Sequence, residues 1–141
     1  DSFCVNRHRK SFIKLVEDYV DILFANEDEI TSLYKTSNLD LAIEKLKTKC
    51  KIAAITIGEK GSILIENSNI NAIEPFIIGK AIDTTGAGDL YAGGFLKGLS
   101  EGLSPLISAK IGSICAGQIV TELGSRSNTD LLNLVNSNLE F

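Results

Sequence analysis

No run of like charges long enough to suggest a tail, no internal repeat and no low-complexity stretch or linker interrupts this 141-residue chain, whose net charge is −4. That acidic balance argues against a nucleic-acid surface. No apolar run approaches the roughly 20 residues needed to span a bilayer, and no signal-peptide pattern opens the sequence. Cysteine is sparse: Cys4, Cys50 and Cys115 are odd in number, far apart and without C-x-x-C spacing. They read as buried or incidental thiols in a reducing compartment, the cytoplasm, and not as disulfides or metal ligands. The only histidine, His8, lies in the basic cluster Arg7-His8-Arg9-Lys10. With no partner carboxylate suggested nearby, it is expected to be a solvated residue at a strand-to-helix junction and not an acid–base group.

What remains is 44% hydrophobic and 23% charged, which suits one globular domain, or part of one, with a real core. Phe12, Leu15, Val16 and Tyr19 recur at helical spacing and predict an amphipathic helix over 11–19. The near-continuous apolar runs Val20 to Ala25 and Ile52 to Ile57 read as parallel strands buried on both faces. Between them, 27–34 and 39–49 read as helical, the second capped by Ser37 or Asn38. The alternation is βαβ, hence an α/β fold with right-handed crossovers. Ser62 to Ile65 and Ile70 to Ile73 flank a hairpin turn at Glu66-Asn67-Ser68-Asn69.

A helical pattern follows from Ala87, with Gly93-Gly94 in its interior. Each glycine costs about 1 kcal/mol relative to alanine there, so either another backbone approaches closely or the helix kinks. Ser104-Pro105 starts the next helix, which runs to about Glu122, is apolar on most sides and is expected to be buried. Leu131 to Leu139 is a shorter terminal helix.

Open parallel sheets bind ligands beyond the carboxyl ends of their strands. Those ends are Asn26-Glu27-Asp28-Glu29 and the stretch Thr56 to Gly61. The residues richest in chemistry are Asp83-Thr84-Thr85-Gly86-Ala87-Gly88-Asp89. Gly86, Ala87 and Gly88 leave backbone N–H groups bare at a helix start, where the first amides lack intrahelical partners and the dipole adds positive charge. Such a turn can cradle a phosphate or a developing anion. Asp89, next to the cradle, is placed to accept the proton of an approaching hydroxyl. An anion hole beside a carboxylate base is the minimum apparatus for phosphoryl transfer to an alcohol.

The seven-residue string resembles the DTTGAGD motif of the ribokinase-like (PfkB) sugar and nucleoside kinases. Asn26 and Glu29 match that family's N-x-x-E motif, and Thr56, Gly58 and Gly61 its T-x-G-x-x-G nucleotide loop. Taken alone, the first pair is a helix cap with first-turn acids, and the second a turn. The opening Phe3-Cys4-Val5 with Arg7-His8-Arg9, and the late Gly124-Ser125-Arg126, look most like a bacterial adenosine-kinase-like branch. No Walker A string occurs, so this is not a P-loop kinase.

The resemblance implies a three-layer α/β fold with a mostly parallel central sheet. It also implies an ATP- and Mg²⁺-dependent kinase of a sugar or nucleoside hydroxyl. Asp89 is then the base, and Gly86, Ala87 and Gly88 stabilise the transferred phosphoryl group. Thr56, Gly58 and Gly61 hold the nucleotide, and Asn26 and Glu29 act on the phosphates and on Mg²⁺, largely through water. Asp83 and Thr85 fall where the family often places a monovalent cation such as K⁺. Ser113 stands where many relatives carry Asn near the adenine. Members are about twice as long, so the chain is expected to be the C-terminal, nucleotide-binding portion without the acceptor-binding half and lid. It is then expected to be inactive alone, and to self-associate or to pair with that missing half. The rival reading is a complete, non-catalytic nucleotide-binding or assembly module.

Overall fold

The structure, a computed structural model, describes residues 1–139. Two compact units emerge: Asp1–Gly58 with Ile63–Ala72, and Glu59–Ser62 with the chain from Ile73 onward.

The first unit opens with helices α1 (Ser2–Arg7) and α2 (Arg9–Asp18). A helix over 2–7 corrects the expectation of a strand leading into the basic cluster. Three apolar residues, Phe3-Cys4-Val5, are too few to reveal a period, and the Asp1 carboxylate caps the turn by accepting the Cys4 amide at 2.7 Å. His8 is the exposed break between the two helices, solvated as expected although no strand precedes it. Strand β1 (Ile22–Asn26) leads into α3 (Glu27–Tyr34), α4 (Leu39–Leu46) follows with Asn38 as its cap, and the chain returns as β2 (Ile52–Thr56).

β1 and β2 pair in parallel, Ile22 opposite Ile52 through to Asn26 opposite Thr56. Strands β3 (Ser62–Glu66) and β4 (Asn69–Ile73) complete a sheet of order β1-β2-β3-β4. Their two-residue turn, Asn67-Ser68, has φ of 47° and 69°, the left-handed geometry that suits a tight hairpin. Ala53, Ala54 and Ile55 of β2 are fully buried, as expected. β1 is not: Ile22 to Ala25 are only half-buried. An apolar run reports what a strand is able to bury, whereas its burial needs neighbours, and β1 is one of the two edges of the sheet among the described residues.

In the second unit, helix α5 (Ala87–Ser100) packs on α6 (Pro105–Ile119), and α7 (Leu131–Asn138) on α6. The glycine expectation is half met. A Cβ on Gly94 would lie 2.9 Å from Cys115 Sγ and 3.1 Å from the Ile111 carbonyl, so α6 does come close there. Gly93 faces open space, and the second contact point is one turn on, at Gly98 against Ser108. α6 ends at Ile119, short of Glu122, because Thr121 and Glu122 close tighter i→i−3 turns onto Gln118 and Ile119.

The segment from Glu74 to Asp83, without regular structure, runs along α6 as a strap. Ser113 Oγ accepts the Phe76 amide at 3.0 Å and donates to the Glu74 carbonyl at 2.9 Å, while the Ile82 amide reaches the Val120 carbonyl at 2.7 Å. The strap delivers the chain to the start of α5. Among the described residues, no helix is long and apolar enough to cross a membrane.

Candidate functional site

At the start of α5 the chain turns on Gly86, whose φ of 82° is left-handed. A Cβ there would lie 2.8 Å from Ser125 Cβ, so both the angle and the space demand glycine. Gly86 offers no side chain to cap the helix. The Ala87 amide closes onto the Thr84 carbonyl at 3.2 Å, but the Gly88 and Asp89 amides have no acceptor among the described residues. Nothing lies within 4 Å of a Cβ placed on Gly88. Two bare amides at an open helix start therefore face outward, with the helix dipole behind them. Asp89 is exposed in the same first turn. The amides suit a phosphate, and the carboxylate beside them suits a proton acceptor.

Asp83 ties this turn together. One carboxylate oxygen accepts the Thr85 amide at 2.9 Å, and the other accepts the Gly124 amide, also at 2.9 Å. These bonds, Gly124 first, hold its pKa below the ordinary carboxylate value. Its side chain is thus committed to the backbone. The carbonyls of Asp83 and Thr85 accept no hydrogen bond from the described residues, which fits a cation held by carbonyl oxygens.

Sequence reading passed over Glu122. Its Oε1 accepts from Gln118 Nε2 (2.8 Å), Ser127 Oγ (2.9 Å) and Thr129 Oγ1 (3.1 Å), and its Oε2 from the Asn128 amide (2.6 Å). These donors, the Asn128 amide foremost, pull its pKa from 4.5 to about 2. The only trace in the sequence is an acid followed closely by Ser127, Asn128 and Thr129. The link from Gly124 to Asp83 spans 41 positions and leaves no trace at all.

Both carboxyls are depressed in the folded state, so their stabilisation is present above their unfolded pKa and lost as pH falls through the folded one. The second unit is expected to lose stability between pH 4.5 and about 2, and Glu122→Gln to flatten that slope. Thermal melts across that range, followed by circular dichroism, check it.

In the first unit, Asn26 and Glu29 form a full capping box. Asn26 Oδ1 accepts the Glu29 amide at 2.9 Å, and Glu29 Oε2 accepts the Asn26 amide at 2.8 Å. Glu29 Oε1 also pairs with the Asp1 amino group at 3.2 Å. Every side-chain oxygen of the pair thus has a partner, which suits a hydrated cation reached through water better than direct ligation. No group of three or more His, Cys, Asp or Glu side chains placed to hold a metal occurs among the described residues. Thr56 lies opposite Asn26 in the sheet register, so the strands end together there. Gly58 has a φ of 63°, and nothing lies within 4 Å of a Cβ placed on it.

Gly61 belongs to the second unit and has a structural duty of its own. With φ 90°, its Cβ would fall 2.1 Å from the Ile73 carbonyl. Ser113 is turned to the strap backbone and is buried at 8% exposure, so its hydroxyl is already spent.

The model of the pfkB family of carbohydrate kinases matches residues 5–131. Among curated proteins, the ribokinase of Lactococcus lactis is 29% identical over 132 residues, covering 94% of this chain and 42% of that protein. Two solved structures overlay closely. A probable sugar kinase of Rhizobium etli is 38% identical with a TM-score of 0.93, matching 97% of this chain and 42% of the other. The adenosine kinase of Sinorhizobium meliloti is 39% identical with a TM-score of 0.92 and the same coverage. The chain thus spans less than half the length of these relatives.

Proposed function

From the premise that this chain belongs to the pfkB family of carbohydrate kinases and has its ribokinase-like α/β fold, we propose that it supplies the nucleotide-binding portion and the catalytic base of an ATP-dependent kinase. The acceptor is a sugar or nucleoside hydroxyl. The observation that carries this reading is the start of α5, where the unpartnered Gly88 and Asp89 amides lie beside the exposed Asp89 carboxylate.

Asp89 takes the proton of the acceptor hydroxyl, which makes the oxygen a better nucleophile as the bond to phosphorus forms. The amides of Gly88 and Asp89 offer fixed dipoles to the charge on the transferred phosphoryl oxygens, with no reorganisation at the moment of reaction. Thr56, Gly58 and Gly61 hold the nucleotide. Asn26 and Glu29 orient the waters of a hydrated Mg²⁺, which when bound neutralises phosphate charge. The carbonyls of Asp83 and Thr85 are available to a monovalent cation. The cytoplasm, where ATP and Mg²⁺ are plentiful, suits such an enzyme.

Calorimetric or fluorescence melts of this chain with ADP or ATP, with and without Mg²⁺, test the nucleotide half. A ligand present at 100 times its Kd adds about 2.7 kcal/mol to the folded state. A clear rise in Tm at millimolar nucleotide is expected, larger with Mg²⁺. An unchanged Tm up to that concentration removes the nucleotide role from this chain.

A further inference from the structure

Resting on the nucleotide reading above, we infer that Glu122 is a positioning residue that fixes the phosphate-facing turn from behind, through the loop it gathers after α6. Sequence motifs give it no role, and it touches no reacting atom. Its carboxylate draws in donors from both ends of that loop: Gln118 on α6, and Ser127, Asn128 and Thr129 beyond it. Gln118, itself buried, also donates to Thr129 Oγ1 at 3.0 Å, so the closure is cross-braced.

The loop held in this way meets the α5 turn at two points. The Gly124 amide donates to Asp83, whose other oxygen holds the Thr85 amide. Ser125 fills the space against Gly86 that any Cβ there would need. Gly86 is the residue whose left-handed φ aims the following amides outward. Bare amides bind an anion well only if they are already aimed, because any reordering on binding subtracts from the affinity. Glu122 supplies that aim indirectly, as a fixed multi-acceptor hub for donors that would otherwise leave the loop loose.

Glu122→Gln tests this, since it keeps the shape but turns one acceptor oxygen into a donor facing donors. In the labelled chain, amide exchange at Gly124 and Asn128 is expected to speed up by about tenfold or more, the scale of losing a charged hydrogen bond. The Gly86 to Asp89 resonances are expected to shift, and affinity for Mg·ADP and for inorganic phosphate to fall by about tenfold. Glu122→Asp is expected to fall in between. Ser127→Ala, which removes one donor only, gives a smaller change of the same sign and serves if Glu122→Gln does not fold.

Val135→Ala, a core truncation in α7, controls for stability alone and is expected to leave the Gly86 to Asp89 resonances in place. Unchanged resonances at Gly86 to Asp89 in the Glu122 or Ser127 variants overturn the inference, whatever happens at Gly124. If the unaltered chain binds no nucleotide, the proposed function fails, while the resonances still decide the role of Glu122.

Discussion

Asp89→Asn, introduced into a form of the protein that turns over ATP, is expected to retain nucleotide affinity and lose about 10²–10⁴-fold in kcat. Asparagine preserves the shape and the N-terminal position in α5, so the Gly88 and Asp89 amides keep their aim. What disappears is the proton acceptor. The loss should fall on kcat and kcat/KM together, because the interaction removed exists only as the hydroxyl gives up its proton. Steady-state kinetics alongside a direct nucleotide titration separate the two effects. Near-normal turnover with intact binding takes the base role from Asp89, and a parallel loss of binding makes Asp89 a structural cap instead.

Gly117→Ala is expected to destabilise the second unit by about 1–3 kcal/mol, the range for forcing atoms into a packed site. A Cβ at Gly117 would lie 2.0 Å from the Phe76 carbonyl oxygen, and backbone sits there, not the yielding tip of a side chain. The strap must lift from α6, taking with it the Phe76 bond to Ser113 and the path into Asp83. Alanine favours a helix by about 1 kcal/mol over glycine, which offsets part of the loss. Gly93→Ala is the matched comparison: it meets nothing within 4 Å, so only the helix preference acts and stability should rise. Denaturant titrations of both variants check the pair. Equal effects would mean that the strap does not press on α6.

Several features were legible because they are local. The βαβ order follows from apolar runs of strand length alternating with helical periods, and Ile22–Asn26 and Ile52–Thr56 fall within a residue or two of those runs. Caps at Asn26, Asn38 and Ser104 are readable because a capping side chain serves amides two or three positions away. The bare amides of the α5 turn were legible in part for the same reason, since Gly86-Ala87-Gly88 has no side chain with which to cap itself. The Ala87 amide, expected to be bare, is taken by the Thr84 carbonyl, and the Asp89 amide is open in its place.

The helix over 2–7 was not legible, because one and a half turns with three apolar residues show no period. The half-exposure of β1 was not legible either, since it depends on which chains lie beside that edge.

The sequence by itself determined the α/β class and the family, and it singled out the residues proposed to hold an anion and accept a proton, since all three reside in contiguous patterns. Only the tertiary structure decided what those residues are free to do. It committed the Asp83 carboxylate to Thr85 and Gly124, turned Ser113 onto the strap, and gave Gly61 a steric duty against Ile73. It also made Glu122 the hub of a loop that bears on Gly86. The physical reason is the reach of a hydrogen bond: about 3 Å in space, joining residues 41 apart in the chain.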